Sequence, residues 1–97
     1  MRVISKHPKL SEFWVVHPDA EKPLLAWHSV TSHAAWQNFA DLKRDYPSAS
    51  LVGRFVVFNI GGNKYRLIVV VSYPKAKVYV HRVLTHKEYD RGTWKEE

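Results

Sequence analysis

A chain of 97 residues with no cysteine and a formal net charge of +6 makes one domain with a single modest core, and it excludes disulfide scaffolds, iron–sulfur clusters and thiol nucleophiles. No apolar run approaches the ~20 residues that cross a bilayer, and the opening "MRVISKHPKL" lacks the apolar stretch and cleavage site of a secretory signal, so cytoplasmic residence is expected. Residues 1–42 balance four basic side chains (Arg2, Lys6, Lys9, Lys22) against four acidic ones, whereas residues 46–87 carry seven (Arg54, Lys64, Arg66, Lys75, Lys77, Arg82, Lys87) and no acid.

"MRVIS" reads as a short opening strand. Ser5 is placed to cap a helix in which Leu10, Phe13, Trp14 and His17 fall at helical spacing. His17-Pro18-Asp19 breaks it, and Asp19 can cap a second helix carrying Leu24 and Trp27. Ser32 can cap a third, with Trp36, Phe39 and Ala40 on one face, ending before Pro47. "SVTS" is a weak break, so the second and third helices are either separate or continuous. After Pro47 the period changes to that of strands. "GRFVVFNI" ends in Gly61-Gly62-Asn63, residues that supply the positive φ of a tight hairpin. "KYRLIVVVSY" follows, then a turn at Pro74-Lys75-Ala76, then "KVYVHRVLT" and a short helical piece from about Thr85. With no repeats or Gly/Ser linkers, residues 1–97 form a single α+β domain: a short strand and two or three helices packed on an antiparallel meander, with a short C-terminal helix.

Alternation along "KYRLIVVVSY" puts Tyr65, Leu67, Val69, Val71 and Tyr73 on one face, a core set, and Lys64, Arg66, Ile68, Val70 and Ser72 on the other. Lys64 and Arg66 are therefore expected to emerge together beside the Gly-Gly turn. In the last strand both faces are partly apolar, and the pattern leaves the directions of His81 and Arg82 open.

An acid-free basic half suits a polyanionic partner, nucleic acid foremost, or is simply a solvated face. The six histidines form no H-E-x-x-H motif, and His81 and His86, five apart, define no ligand geometry, so no metal or cofactor is expected. His7, His17, His28 and His33 read as surface or helix-packing residues, and "GGNK" is too short for a phosphate-binding loop. What remains is a set at neighbouring strand ends: Lys64, Arg66, His86, Lys87, Tyr89 and Asp90. Metal-free cleavage of an RNA phosphodiester needs a base for the 2′-hydroxyl, cations for the charged transition state and an acid for the departing 5′-oxygen. Histidine, arginine, lysine and tyrosine meet those needs. The competing reading is structural: Thr85 followed by Glu88 matches a capping box, Tyr89 suits a core and Arg66 an ordinary strand. The residues alone leave both open.

The combination "FVVFNIGGNKYRLIVVVSY … VYVHRVLTHKEYD" resembles the HigB toxins of bacterial toxin–antitoxin pairs, within the RelE-like superfamily of mRNA interferases. It is similar to the subgroup marked by F-N-x-G-G-N-x-x-R-(L/V) and T-H-x-E-Y-D, over roughly residues 46–92. The resemblance implies a RelE-like fold and a ribosome-dependent endoribonuclease that cuts translated mRNA by attack of the 2′-hydroxyl. It also implies a helix-turn-helix antitoxin of the HigA type, with operator DNA reached only through the complex. Carried over by position, Arg66 would bind phosphate, and His86 and Tyr89 would supply proton transfer and base stacking, assisted by Lys87 and Lys64. Asn63, Arg54, Arg82 and His81 complete the RNA-facing set. Relatives often carry arginine where this chain has His81, so either His81 is a functional variant or the basic role passes to Arg82. The alternatives are a non-catalytic RNA- or ribosome-binding module using the same basic face, and a degenerate toxin.

Overall fold

Strand alternation and two short turns assemble a mixed sheet in the computed structural model, which describes residues 1–96. In chain order the elements are β1 (Arg2–Ile4), α1 (Lys9–Val16), a 3-10 turn (Pro18–Ala20), α2 (Glu21–His33), α3 (Phe39–Asp45), β2 (Ser50–Val52), β3 (Phe55–Ile60), β4 (Tyr65–Ser72), β5 (Lys77–Thr85), α4 (His86–Arg91) and a final 3-10 turn (Thr93–Glu96). The sheet order is β1-β5-β4-β3-β2. The expected meander is β3-β4-β5, antiparallel throughout. β2 adds antiparallel to β3, and β1 runs parallel to β5 at the far edge. No helix among the described residues is long and apolar enough to cross a membrane.

The helices cover one face. Leu24, Trp27 and Thr31 recur at helical spacing along α2 and are its buried residues. They join Trp36 and Leu42 against Val56, Phe58, Ile60, Leu67, Val69, Val78 and Val80. Burying side chains of this size stabilises the fold by about 1.5–3 kcal/mol each. The opposite face carries a second, smaller cluster: Phe55, Val57, Ile68 and Trp94, flanked by Val52, Val70, Leu84 and Tyr89. Trp94 reaches it because the chain doubles back after α4.

Three expected caps are not used. α1 opens at Lys9 behind Pro8 with no side-chain cap, while the Ser5 hydroxyl donates to the His7 carbonyl. Asp19 lies within the 3-10 turn rather than at a helix start. Ser32 lies inside α2, and Asn38 caps α3, its Oδ1 accepting the Asp41 N–H at 2.9 Å. The second and third helices are therefore separate, broken after His33 rather than at "SVTS".

Pairing of Ile60 with Tyr65 leaves residues 61–64 as the β3–β4 turn, and Gly61 and Gly62 take φ of +64° and +71°, where a Cβ is strained. On β5 the register slips. Val69 pairs with Val80 but Ile68 pairs with Arg82, so His81 is the extra residue of a β-bulge. The bulge resolves the ambiguous last strand: Val80 and Val83 both reach the helical core, and His81 turns to the opposite face, where its ring meets Phe55.

Candidate active site

At the end of the sheet where β5 enters α4, the Tyr65–Thr85 and Arg66–Leu84 pairs set β4 against the helix start. Thr85 caps α4 with both bonds of a capping box: its hydroxyl accepts from Glu88 N–H at 3.2 Å, and Glu88 Oε1 accepts the Thr85 N–H at 2.9 Å. That backbone donor lowers the Glu88 carboxyl below its ordinary value. The cap and the chemistry are not exclusive. Because Thr85 and Glu88 hold the helix start, His86 and Lys87 occupy its first turn as exposed residues. The His86 N–H donates to the Lys64 carbonyl at 3.1 Å, which ties α4 to the β3–β4 turn. On the next helical turn Asp90 Oδ2 meets His86 Nδ1 at 2.9 Å, which orients the ring of this exposed histidine.

Arg66 is only 8 % exposed. Its Nη2 donates to the side-chain oxygen of Asn63 at 2.7 Å, and its Nη1 to the carbonyls of Asn63 and Tyr65 at 3.2 Å. All of these acceptors are neutral, and among the described residues no carboxylate pairs with this guanidinium. A buried cation without a counter-charge is costly, and an anion is the partner that would offset that cost. Three bonds also leave donors of a five-donor fork available to phosphate oxygens. The guanidinium stands 5.5 Å from the Tyr89 ring centroid, and Tyr89 in turn stacks on Trp94 at 5.2 Å and 17°.

The structure thus brings Arg66, Asn63, Tyr89, His86 and Lys87 to one end of the sheet. It separates others. Lys64, expected beside Arg66, turns to the helical side, where its ammonium meets Asp19 at 3.0 Å. The reason is that Asp19 also accepts the Tyr65 hydroxyl at 2.5 Å, so the turn is anchored to the 3-10 segment on that side. Those two donors lower the Asp19 carboxyl, and the carboxylate raises the Tyr65 phenol. Arg54 sits at the opposite end of β3, over the Phe55 ring at 4.7 Å. His81 lies flat on Phe55 at 4.7 Å, with Nε2 at 3.2 Å from the Trp94 carbonyl oxygen. Arg82 is exposed beside a groove of about 420 Å³ between α1 and β5, lined also by Lys9, Phe13, His17 and Glu88. Arg66 does not line that groove. No three His, Asp or Glu side chains among the described residues converge as a metal ligand set.

Trp94 was not expected. A large aromatic alone in the polar tail "DRGTWKEE" was its only signal.

Residues 20–92 match the HigB toxin family, described as the RelE-like toxic component of a toxin–antitoxin system. The chain belongs to the HigB toxin family. It is 31 % identical over 77 residues, covering 76 % of this chain and 74 % of the relative, to the mRNA interferase toxin HigB of Escherichia coli strain K12. The same identity and coverage hold for the mRNA interferases HigB of Escherichia coli O157:H7 and Shigella flexneri. The α+β architecture is consistent with the RelE-like fold of that family, and a toxin of this family has an antitoxin as its counterpart. The matched span includes every element from α2 to α4.

Proposed function

We propose that this chain is a cytoplasmic endoribonuclease that cleaves translated mRNA on the ribosome and is held in check by a helix-turn-helix antitoxin of the HigA type. The observation that carries the reading is Arg66, a nearly buried cation whose partners among the described residues are all neutral oxygens, at the same sheet end as an oriented, exposed histidine. The 2′-oxygen attacks the adjacent phosphorus and the bond from phosphorus to the 5′-oxygen breaks. One proton leaves the 2′-hydroxyl and one reaches the departing oxygen. His86, through Nε2, is the proton carrier, with Asp90 holding its ring. Arg66 stabilises the charge that builds on the phosphate, and Lys87, exposed on the same helical turn, adds a mobile positive charge. Tyr89 already has Trp94 stacked on its ring and a guanidinium over it. Its part is therefore to hold Arg66 and offer its hydroxyl, rather than to stack freely on a base. Asn63 acts through the same guanidinium. No step requires a metal ion.

The test is cleavage of mRNA on purified ribosomes, read from the chemistry of the ends. Products should carry a 2′,3′-cyclic phosphate and a 5′-hydroxyl, and mRNA without ribosomes should be cut far more slowly. Products with 5′-phosphates would overturn the mechanism. Ribosome binding without cleavage would favour a binding module.

A further inference from the structure

Behind Arg66 and Tyr89 lies a row of rings with no role yet in the chemistry. Trp94 is 2 % exposed, stacks on Tyr89 at 5.2 Å and donates its indole N–H to the Tyr89 carbonyl at 3.0 Å. The same residue therefore grips Tyr89 twice, by ring and by backbone. Phe55 packs edge-on against Trp94 at 5.5 Å. His81 completes the bracket from the bulge of β5, stacked on Phe55 at 4.7 Å and with Nε2 at 3.2 Å from the Trp94 carbonyl oxygen. A Gly92 with φ of +74° lets the chain reverse after α4 and deliver Trp94 to this position.

We propose that Trp94 is a positioning residue: it fixes Tyr89, and through the Tyr89 ring it fixes the Arg66 guanidinium, while His81 and Phe55 hold Trp94 in place. The inference rests on the cleavage reading above and adds to it a structural cause for the placement of Arg66. Tyr89 belongs to a six-residue helix with no buried residue, so the helix alone does not immobilise its ring. Among the described residues no carboxylate locks the plane of Arg66, and a cation over an aromatic face is held only weakly by that contact. Without Trp94 the ring regains its rotamers and the guanidinium loses one wall. A displacement of about 1 Å at a phosphate-binding group is enough to cost up to ~10²-fold in rate. The bulge at His81 gains a purpose as well: it turns an imidazole toward the tail that closes the site, so this histidine serves the protein rather than RNA.

Two substitutions separate positioning from simple core filling. Trp94→Leu keeps an apolar side chain but loses the ring stack, and Trp94→Phe keeps the stack but loses the indole donor. With the fold verified by circular dichroism, Trp94→Leu should lower kcat for ribosome-bound mRNA about tenfold or more, with KM within about threefold, and Trp94→Phe should recover most of the rate. In an Arg66→Ala background Trp94→Leu should add almost no further loss, since the residue it serves is gone. An independent readout needs no cleavage. The Arg66 Nε–H signal in ¹H–¹⁵N spectra should be sharp in wild type and Trp94→Phe, and broadened or lost in Trp94→Leu. A folded Trp94→Leu protein with wild-type kcat, or with an unchanged Arg66 signal, would overturn the positioning role. If the wild type does not cleave but the signal still responds as expected, the positioning stands and the cleavage reading falls.

Discussion

The Arg66 guanidinium stands 5.5 Å from the centre of the Tyr89 ring, although the two residues come from the middle strand of the sheet and from the helix after its last strand. What joins them is the Arg66–Leu84 pairing on β4 and β5, which carries α4 over the β4 end. On the proposed reading the site opposes function to stability, because among the described residues its central cation is buried without an acid.

The opposition predicts the behaviour of Arg66→Met. The apolar side chain removes a buried charge that has no carboxylate partner among the described residues, and it shares a face with Ile68 and its strand partner Leu84, so the variant should be at least as stable as wild type in thermal unfolding. Cleavage should nonetheless fall on the order of 10²-fold or more, and Arg66→Lys should not restore it, because a point charge lacks the planar fork. A markedly destabilised Arg66→Met protein would show that the guanidinium's bonds to Asn63 and Tyr65 outweigh its burial.

Thr85 and His86 are adjacent yet should separate cleanly. Thr85→Ala breaks the capping box and should cost about 1 kcal/mol of stability, with cleavage per folded molecule nearly unchanged. His86→Gln leaves the cap intact and should melt like wild type and bind ribosomes nearly as well. Its cleavage should drop roughly 10²–10⁴-fold. Equal cleavage by wild type and His86→Gln would transfer the proton-carrying role to Tyr89 or Lys87.

Stability against pH should report the surface carboxylates that anchor the site. Asp19 lies below its ordinary 3.8, chiefly because the Tyr65 hydroxyl and Lys64 donate to it, and Glu88 lies below 4.5, chiefly because of the Thr85 N–H. A depressed carboxyl stabilises the fold at pH values above its unfolded pKa, and that contribution is lost as pH falls through the lower folded one. Tyr65 is raised above 10.0 by Asp19 and by burial, so its contribution is present below that value and is lost as pH rises through the higher folded one. Asp19→Asn and Glu88→Gln should therefore each flatten the acid limb of a stability–pH curve, and Tyr65→Phe the alkaline limb. Denaturant unfolding across the pH range would measure this, and unchanged limbs would count against these contacts.

Much of this was legible in the chain. Alternation in "KYRLIVVVSY" separated the two sheet faces, and Gly61-Gly62 marked the turn between β3 and β4. The pairing of Thr85 with Glu88 announced the cap. Several of the misses depended on a contact distant in sequence. Lys64 was expected to follow Arg66 by alternation, but it precedes β4, and Asp19, 45 residues earlier, draws its ammonium to the helical side. The first-half caps misled for local reasons: α1 starts behind Pro8 with no side-chain cap, Asp19 lies within the 3-10 turn, and Asn38 rather than Ser32 caps α3. A single extra residue at His81 inverted the alternation of β5, and a bulge has no fixed residue signature. Trp94 is invisible to periodicity because its partners, Phe55, His81 and Tyr89, lie on three other elements.

Asn63→Asp tests the role of the missing counter-charge most directly. The two side chains have nearly the same shape, so the 2.7 Å bond from Arg66 Nη2 can persist, now as a charge-assisted pair. In the wild type the guanidinium finds only neutral acceptors among the described residues, and on the proposed reading its field is left for an incoming phosphate. An aspartate would satisfy that field in the resting protein, and it would repel the phosphate as well. Thermal unfolding should therefore shift upward relative to wild type, whereas cleavage of ribosome-bound mRNA should fall by about tenfold or more at neutral pH. Lowering the pH towards the carboxyl's own pKa should return part of the activity, and Asn63→Ala, which removes the acceptor without adding charge, should lose less. If Asn63→Asp cleaved at the wild-type rate, the unpaired charge of Arg66 would not be what the reaction uses.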